Sequence, residues 1–429
     1  MQKPLLPLLF AASLTLQIPA YAQVISSYGG ETTQSGQMKA ANISLLTLAA
    51  ALDLAYGANS EISAARREVE ATEGMIQQAG IIPNPELSTT IEDLKRDTRT
   101  TTVQISQPIE LGGKRSARIA AAERARDLAL ADLSAKQADI RALVVAAFYD
   151  VVIGQERYRL ALSTVELAQR ATTIASKRVL AGKISPVEET RARVAEAGVR
   201  IELAQALNDL GTARRELAAT WGARTPDFDK VQEPAEDLPP LIPLPALMQR
   251  LEQSPLLARA RIEVERRKAM TAVERSRRIP NVTLTLGSKR DEQVGRNTAV
   301  VGLSIPLPLF DRNQGNILEA LRRTDKARDD LTTTEVSLNR ELGQTHGRLS
   351  TSITEAEMLK SEVVPAAQRA YEATTKGFEL GKFSFLEVLD AQRTFFQAKS
   401  QYLRSLADTH RAAAAIDRLL GEQFSATKN

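Results

Sequence analysis

Two pairs of short segments alternate apolar residues with polar or small ones, and this period of two predicts four half-buried β-strands. The predicted strands are Glu86–Glu92, Thr100–Ile109, Val282–Leu286 and Thr298–Leu307. In the second strand, for example, Val103 and Ile105 share one face, and the residues between and beside them are polar. Polar stretches beginning at Lys95 and Ser288 separate the members of each pair and are predicted to be loops.

A very long helix is predicted after the first pair of strands. Lys114–Ala181 contains no proline and one interior glycine, Gly154, and a heptad register runs through its middle. Position a holds Leu130, Gln137, Val144, Val151, Tyr158, Val165, Thr172 and Val179, and position d holds Leu133, Ile140, Ala147, Gly154, Ala161, Ala168 and Ala175. Sustained heptads indicate packing of helix on helix. At about 1.5 Å per residue this helix would measure roughly 100 Å, which predicts an elongated tube or rod.

The second half of the chain repeats the first. A helix of about 40 residues is expected before each strand pair, and a second long helix is expected from Gly315, kinked by Pro365. The segments "GKISPVEET" from Gly182 and "GKFSFLEVLD" from Gly381 follow the two long helices. Because glycine can end a helix in the left-handed conformation, each segment is predicted to be the tip of a helical hairpin. The expected divisions are a first repeat at 23–222, a proline-rich linker at 223–245, a second repeat at 246–421 and a C-terminal tail at 422–429.

The N-terminus has the pattern of an export signal. Lys3 supplies a charged start, Leu5–Leu16 is mainly apolar, and "AYA" at Ala20–Ala22 is a cleavage pattern of small residues. Residues 1–22 are therefore predicted to be a signal peptide, with the mature chain starting at Gln23. Export together with the absence of cysteine fits a bacterial periplasm or outer membrane.

Composition narrows the possible functions. The 429 residues are 43% apolar and only 4% aromatic, which suits long, closely packed helices. The net charge of +4 is interspersed along the chain, so no nucleic-acid partner is expected. There is no cysteine, and the two histidines, His346 and His410, lack neighbours at metal-ligand spacing. Without a phosphate-binding loop, a cysteine nucleophile or a histidine in a triad context, the chain is predicted to be neither an enzyme nor a holder of a cofactor or metal.

Four strands are too few to close a barrel, and an open sheet edge is not tolerated in lipid. Three copies of the chain would supply twelve strands and leave a lumen, whereas two copies would give a barrel filled by side chains. The pattern therefore predicts a homo-oligomeric barrel in outer-membrane lipid that carries a long helical tube. The alternative is a periplasmic structural coiled-coil protein with two hairpins.

At this point the residues resemble a known family. The duplicated hairpin, the strand entry "IPNPEL", the tip "YEATTKGFELGKFSFLEVLDAQRTFFQA" and the closing "WG" and "LLG" are similar to the TolC family of outer-membrane efflux proteins, across essentially the whole mature chain. The junctions "ISQPIELGGKRSARI" and "IPLPLFDRNQGNI" resemble its heavy-metal subgroup, the cobalt–zinc–cadmium (CzcC-type) outer-membrane components.

The resemblance implies an α+β membrane protein with two tandem repeats and a trimeric, twelve-stranded outer-membrane barrel, four strands per chain. The barrel would continue into a long periplasmic α-helical barrel. The implied partners are two further copies of the chain, a periplasmic adaptor (membrane fusion) protein and an inner-membrane pump of the resistance–nodulation–division class. The chain would be a passive exit duct for cations such as cobalt, zinc, cadmium or nickel. The same duct could instead serve drug efflux or type I protein secretion.

The resemblance also implies site residues at the hairpin tips. The expected entrance or gate residues are Glu387, Asp390 and Glu188. The expected adaptor-docking residues are Gly182, Lys183, Ser185, Gly381, Lys382 and Ser384. For Glu387 and Asp390, an ordinary solvated helix face remains the alternative to a ring of charge around the duct.

Three departures from the family pattern are visible. The arginine expected opposite Glu188 is replaced by Phe383, which puts a latch of that kind in doubt. The usual Asn-Pro before the first helix pair is Asn59-Ser60, and the lipidated N-terminal cysteine of many metal-efflux relatives is absent.

Overall fold

The computed structural model describes residues 43–232 and 238–421. The predicted signal peptide at 1–22, the tail at 422–429 and part of the predicted linker lie outside the described residues.

The elements follow one another in the same order in the two halves of the chain. The first half contains β1 (Ile43–Leu46), α1 (Leu48–Ala58), α2 (Ser60–Ala79), β2 (Glu86–Glu92), β3 (Thr100–Ile109), α3 (Lys114–Leu180) and α4 (Pro186–Ala219). The second contains β4 (Phe228–Val231), α5 (Leu244–Leu251), α6 (Pro255–Arg277), β5 (Val282–Asp291), β6 (Arg296–Ser304), α7 (Gln314–Met358), α8 (Val364–Glu379) and α9 (Phe385–Leu420). In each half a helix pair leads to a hairpin, then to a long helical stretch, a tip and a returning helix.

The prediction of one helix of about 40 residues before each hairpin is wrong, because a cap divides it in two. Asn59 ends α1 and starts α2: its Oδ1 accepts hydrogen bonds from the backbone N–H groups of Glu61 at 2.8 Å and Ile62 at 3.1 Å. Its Nδ2 also donates to the Thr220 carbonyl at 2.8 Å. In the second half, Ser254 caps α6 in the same way, with Pro255 in the first turn. An asparagine side chain can satisfy the helix start by itself, so the missing proline after Asn59 does not remove the break.

The four strands that follow the helix pairs form one antiparallel sheet in the order β2-β3-β5-β6. Leu87, Ile105, Leu286 and Val301 are cross-strand partners, so they form one apolar row across the sheet. Their exposed fractions are 72%, 47%, 49% and 74%, so little of this chain covers the row. The opposite face is polar: the Ser106 and Thr285 hydroxyls lie 3.0 Å apart in a hydrogen bond. The alternation read from the sequence therefore separates an apolar face from a polar one.

The second hairpin is longer at its turn than predicted. Ser288 was expected to begin a loop, but β5 continues to Asp291 and pairs with β6 from Arg296 onward. Polar side chains do not prevent this, because the ladder is made by backbone groups. At its other end β6 stops at Ser304, short of the predicted Leu307, because Pro306 cannot donate to a ladder.

Helix α3 contains 67 residues and confirms the predicted long helix. Several of its heptad positions are buried: Ile140, Val144, Ala147, Val151, Gly154, Val165, Ala168 and Ala175. Leu130, also an a position, is 44% exposed, so the packing does not cover the heptad face along its whole length.

The irregularity expected at Pro365 lies just before it. Helix α7 ends at Met358 and is followed by a π-helical segment, Leu359–Val363, which leads into α8. Proline lacks the N–H that would bond to Ser361, four residues earlier, and its ring crowds that carbonyl. A wider π turn accommodates this mismatch without ending the helix.

His410 is a buried histidine in α9. Its ring stacks on that of Tyr149 in α3, with centroids 4.1 Å apart and planes at 10°. Its Nε2 is enclosed and has no hydrogen-bond partner among the described residues. Burial lowers the pKa of His410 to about 4. The ring is therefore neutral in the folded chain at neutral pH.

We expect His410 to make the fold acid-sensitive. An unfolded chain protonates this histidine near pH 6.5 and the folded chain only near pH 4, so between these values the unfolded state binds more protons. The stabilisation is complete above about pH 6.5 and is lost as the pH falls towards 4, by on the order of 2–3 kcal/mol. His410→Phe keeps the stacked ring and removes the proton site. The midpoint temperature of thermal unfolding, measured on the detergent-solubilised protein, should fall less between pH 7.5 and pH 5 in the variant than in the wild type. An equal fall of the midpoint temperature in the variant and the wild type would contradict the role of His410 in the acid sensitivity.

Candidate functional site

The first helical-hairpin tip joins α3 to α4. Gly182 has a φ of +69°, and the N–H of Lys183 donates to the Arg178 carbonyl at 2.9 Å. This is a left-handed glycine ending a helix, as the sequence predicts. Three residues later Ser185 caps α4, its hydroxyl accepting from the Val187 N–H at 3.3 Å. The chain therefore reverses within a few residues.

The second tip, between α8 and α9, has the same geometry. Gly381 has a φ of +75°, and the N–H of Lys382 donates to the Gly377 carbonyl at 2.8 Å. An added Cβ at Gly381 would meet no atom within 4 Å, and the same holds for Gly182. Glycine is needed at these two positions for the backbone conformation and not for space.

The two tips contact each other within one chain. The Arg178 guanidinium lies over the Phe378 ring, 5.0 Å from its centroid, and donates to the Phe378 carbonyl at 3.4 Å. A guanidinium over an aromatic face is attracted by the ring's negative face, so this contact ties the first hairpin to the second. Sequence reasoning missed it. No local pattern signals it, because Arg178 lies four residues before Gly182 and Phe378 lies three before Gly381.

Phe383 packs within its own hairpin. A Cβ on Gly377 would lie 2.1 Å from the Phe383 ring, so the ring rests directly on the glycine backbone. Where the family resemblance leads one to expect an arginine, this chain thus carries a ring packed against α8. Glu188 instead forms an ion pair with Arg191, one turn further along α4, at 3.0 Å.

Glu387 has a local structural role at the start of α9. Its carboxylate accepts from the Ser384 N–H at 2.6 Å, and the Ser384 hydroxyl accepts from the Glu387 N–H at 3.3 Å. This reciprocal pair is a capping box. The hydrogen bond from the Ser384 backbone holds the pKa of Glu387 below its ordinary value, so this exposed group is charged at neutral pH.

Asp390 lies one turn after Glu387 and is exposed. Its carboxylate has no hydrogen bond or ion pair with the side chains that the structure describes. The second tip therefore carries two carboxylates on neighbouring turns of α9, one held in place by the cap and one unconstrained. Both of the predicted acids of this tip are thus exposed to solvent.

The described residues form neither a metal-ligand cluster nor a helix that could span a membrane. No group of three or more histidine, cysteine, aspartate or glutamate side chains in the described part of the chain could hold a metal ion. Within residues 43–232 and 238–421, every helix is too short or too polar to cross a membrane.

Comparison with known proteins adds independent findings. A family model described as outer membrane efflux protein matches residues 51–223 and, a second time, residues 246–422. The chain is 52% identical over 377 residues to the cobalt-zinc-cadmium resistance protein CzcC of Cupriavidus metallidurans, covering 88% of this chain and 90% of that protein. It is 29% identical over 262 residues to the nickel-cobalt-cadmium resistance protein NccC of Alcaligenes xylosoxydans xylosoxydans, covering 60% and 59% of the two chains.

Among solved structures, the Campylobacter jejuni outer membrane channel CmeC superposes with a TM-score of 0.73 at 15% identity. The match covers 89% of this chain and 87% of that one. At this identity the comparison shows a shared fold.

Proposed function

Because this chain belongs to the outer membrane efflux protein family, we propose that it is the outer-membrane exit duct of a Gram-negative efflux system for heavy-metal cations. The observation that supports this choice of cargo is the 52% identity, over nearly all of both chains, with a cobalt-zinc-cadmium resistance protein. Cobalt, zinc and cadmium are accordingly the first cations to test. The duct reaches from the outer membrane into the periplasm.

We propose that three chains complete the channel. The described sheet has two edge strands, β2 and β6, and its apolar face is largely uncovered. Pairing β6 of one copy with β2 of the next would remove every open edge, and twelve strands would enclose a lumen. The apolar row would then face lipid and the polar face would line the water-filled interior. The helices would continue this wall into the periplasm as a helical barrel.

The partners follow from the same proposal. A passive duct needs an energised pump, here an inner-membrane pump of the resistance–nodulation–division class, and a periplasmic adaptor to join the two. We assign adaptor docking to the exposed tips, at the far end of α3 from the sheet. The docking residues are Gly182, Lys183, Ser185, Gly381, Lys382 and Ser384, all of them exposed.

The acids beside the tips would border the entrance. Three copies of Glu387 and Asp390 would supply six carboxylates around a narrow opening, which attracts cations. Glu188 would lie near them, held by its ion pair with Arg191 and not by an arginine of another hairpin. Close to the tips, the contact between Arg178 and Phe378 joins the two hairpins of one chain.

Deletion of the gene tests the cargo. We expect the deletion strain to become at least several-fold more sensitive to cobalt, zinc and cadmium, and full-length protein from a plasmid to restore growth. Sensitivity to dyes, detergents and antibiotics, measured in the same plates, should stay unchanged. A strain that becomes sensitive to drugs but not to metals would assign the duct to drug efflux. Unchanged sensitivity to both, with the protein missing from the outer-membrane fraction, would favour a periplasmic coiled-coil protein.

A further inference from the structure

A cavity of about 530 Å³ lies just beyond the sheet, between α2, α3, α6 and α7. Its floor is apolar, made largely of alanines together with Met75 and Met270. Five arginines line it: Arg118, Arg266, Arg267, Arg277 and Arg323. Its volume lies within the range of about 300–1,000 Å³ that is usual for small-molecule sites.

The cavity wall is hydrogen-bonded to residues just beyond the end of the β3–β5 ladder. Ser106 of β3 pairs with Thr285 of β5, and continuing this register by four residues brings Glu110 opposite Asn281. Glu110 accepts from Arg118 of the cavity wall at 2.9 Å. Asn281 accepts from Lys114, one turn before Arg118 on α3. Hydrogen bonds therefore connect the cavity wall to the residues that follow the end of this ladder.

Carboxylates do not balance the arginines of this cavity. Arg266 and Arg267 share a single partner, Glu263, at 2.7 Å and 2.6 Å. Arg277 pairs with Glu274 and Arg323 with Glu319. Arg118 pairs with Glu110. Even with every one of these acids counted, the guanidinium groups outnumber the carboxylates, and guanidinium does not lose its charge. The cavity is therefore positive at any physiological pH.

The most enclosed of these groups are well placed to bind an anion. The side chains of Arg118, Arg266 and Arg267 are 30%, 22% and 26% exposed, so water screens them only in part. Arg118 and Arg266 each hold both carboxylate oxygens of a glutamate, Glu110 and Glu263. A guanidinium has five N–H donors, so each of these arginines keeps donors for a phosphate or carboxylate. The alanine and methionine floor offers apolar surface beside that charge.

We propose that this cavity is a binding site for small organic anions, each a phosphate or carboxylate group on an apolar body. A metal cation would be repelled from it despite its two thioethers, because the arginines surround them. The site shares no residue with the acidic entrance proposed for the cargo at the tips. Binding to it does not depend on which cargo the duct carries.

Titration calorimetry with phenyl phosphate tests the proposal. The probe is titrated into purified full-length protein in detergent, in a low-salt chloride buffer without competing phosphate. We expect one molecule bound per chain and at least tenfold weaker binding in the double variant Arg266→Gln/Arg267→Gln. The matched control is Arg193→Gln/Arg200→Gln, which removes two exposed arginines of α4 that pair with glutamates one turn away. The control should bind like the wild type.

Two further probes separate the charged head from the apolar body. Inorganic phosphate should bind several-fold more weakly than phenyl phosphate, and benzyl alcohol should not bind measurably. Equal affinity of inorganic phosphate and phenyl phosphate would overturn the role of the floor. The proposal of a binding site would be refuted if phenyl phosphate did not bind the wild type. It would also be refuted if phenyl phosphate bound the double variant as tightly as the wild type. If the double variant fails to fold, Arg277→Gln/Arg323→Gln at the more exposed rim should still weaken binding, and unchanged binding there would also refute the proposal.

Discussion

Leu286→Arg should prevent assembly of this protein in the outer membrane. Leu286 lies near the middle of β5, in the apolar row with Ile105 and Val301. An arginine on the lipid face of a membrane barrel costs about 2–4 kcal/mol near the midplane. In a trimer every copy carries the change, so the cost is incurred three times in one barrel. The longer β5 seen in the structure makes Leu286, and not a residue nearer the strand start, the central position.

The experiment compares substitutions on the apolar face and on the polar face of β5. Outer-membrane fractions are run on gels with and without heating, and the heat-modifiable trimer is quantified. Leu286→Arg should deplete the trimer strongly, whereas Leu286→Ala should retain most of it. Thr285→Arg, on the polar face one residue away, should assemble far better than Leu286→Arg. Comparable loss in the two arginine variants would refute the assignment of the faces.

Removal of the tip charges should abolish most of the cation preference of the open channel. Glu387 has two roles, because its carboxylate also completes the capping box with Ser384. Alanine would remove the cap together with the charge. Glutamine can replace glutamate in a capping box, so Glu387→Gln keeps the cap and removes only the charge. Combined with Asp390→Asn, it would take six negative charges from a trimeric entrance.

Single-channel recording in a planar bilayer measures this change. The wild type should prefer cations and show block by divalent ions added on the periplasmic side. In the double variant, the preference for cations over anions and the block by divalent ions should each be several-fold weaker than in the wild type. Glu188→Gln provides a comparison at the other tip, where the carboxylate is already paired with Arg191. Wild-type selectivity and block in the double variant would make the two acids an ordinary solvated face.

The sequence predicts those parts of the fold that local patterns specify. The first two strands and the long helix α3 follow from periodicity, and the tips follow from glycines that must adopt positive φ. A break such as the one at Asn59 is harder to predict, because "ANSEIS" can continue a helix as well as cap one. The strand residues from Ser288 to Asp291 are polar, so their pairing is invisible to a hydrophobic pattern.

The candidate site is less predictable because its contacts join distant parts of the chain. Arg178 and Phe378 are 200 residues apart, and no local pattern indicates that they touch. Sequence reasoning identified the acids of the second tip but not the hydrogen bond by which Ser384 holds Glu387. The arginine-lined cavity draws on four helices from both halves of the chain, so it exists only once the fold has brought them together.

The packing of Phe383 on Gly377 constrains how this tip can evolve. With the ring in place, even the methyl group of alanine at position 377 would collide with it. A smaller or reoriented side chain at position 383 would remove that collision and leave position 377 free to vary. A substitution at position 377 therefore requires either another residue at position 383 or a different orientation of the Phe383 ring. A lineage that acquired an arginine at position 383 would lose the ring, and position 377 could then carry residues other than glycine.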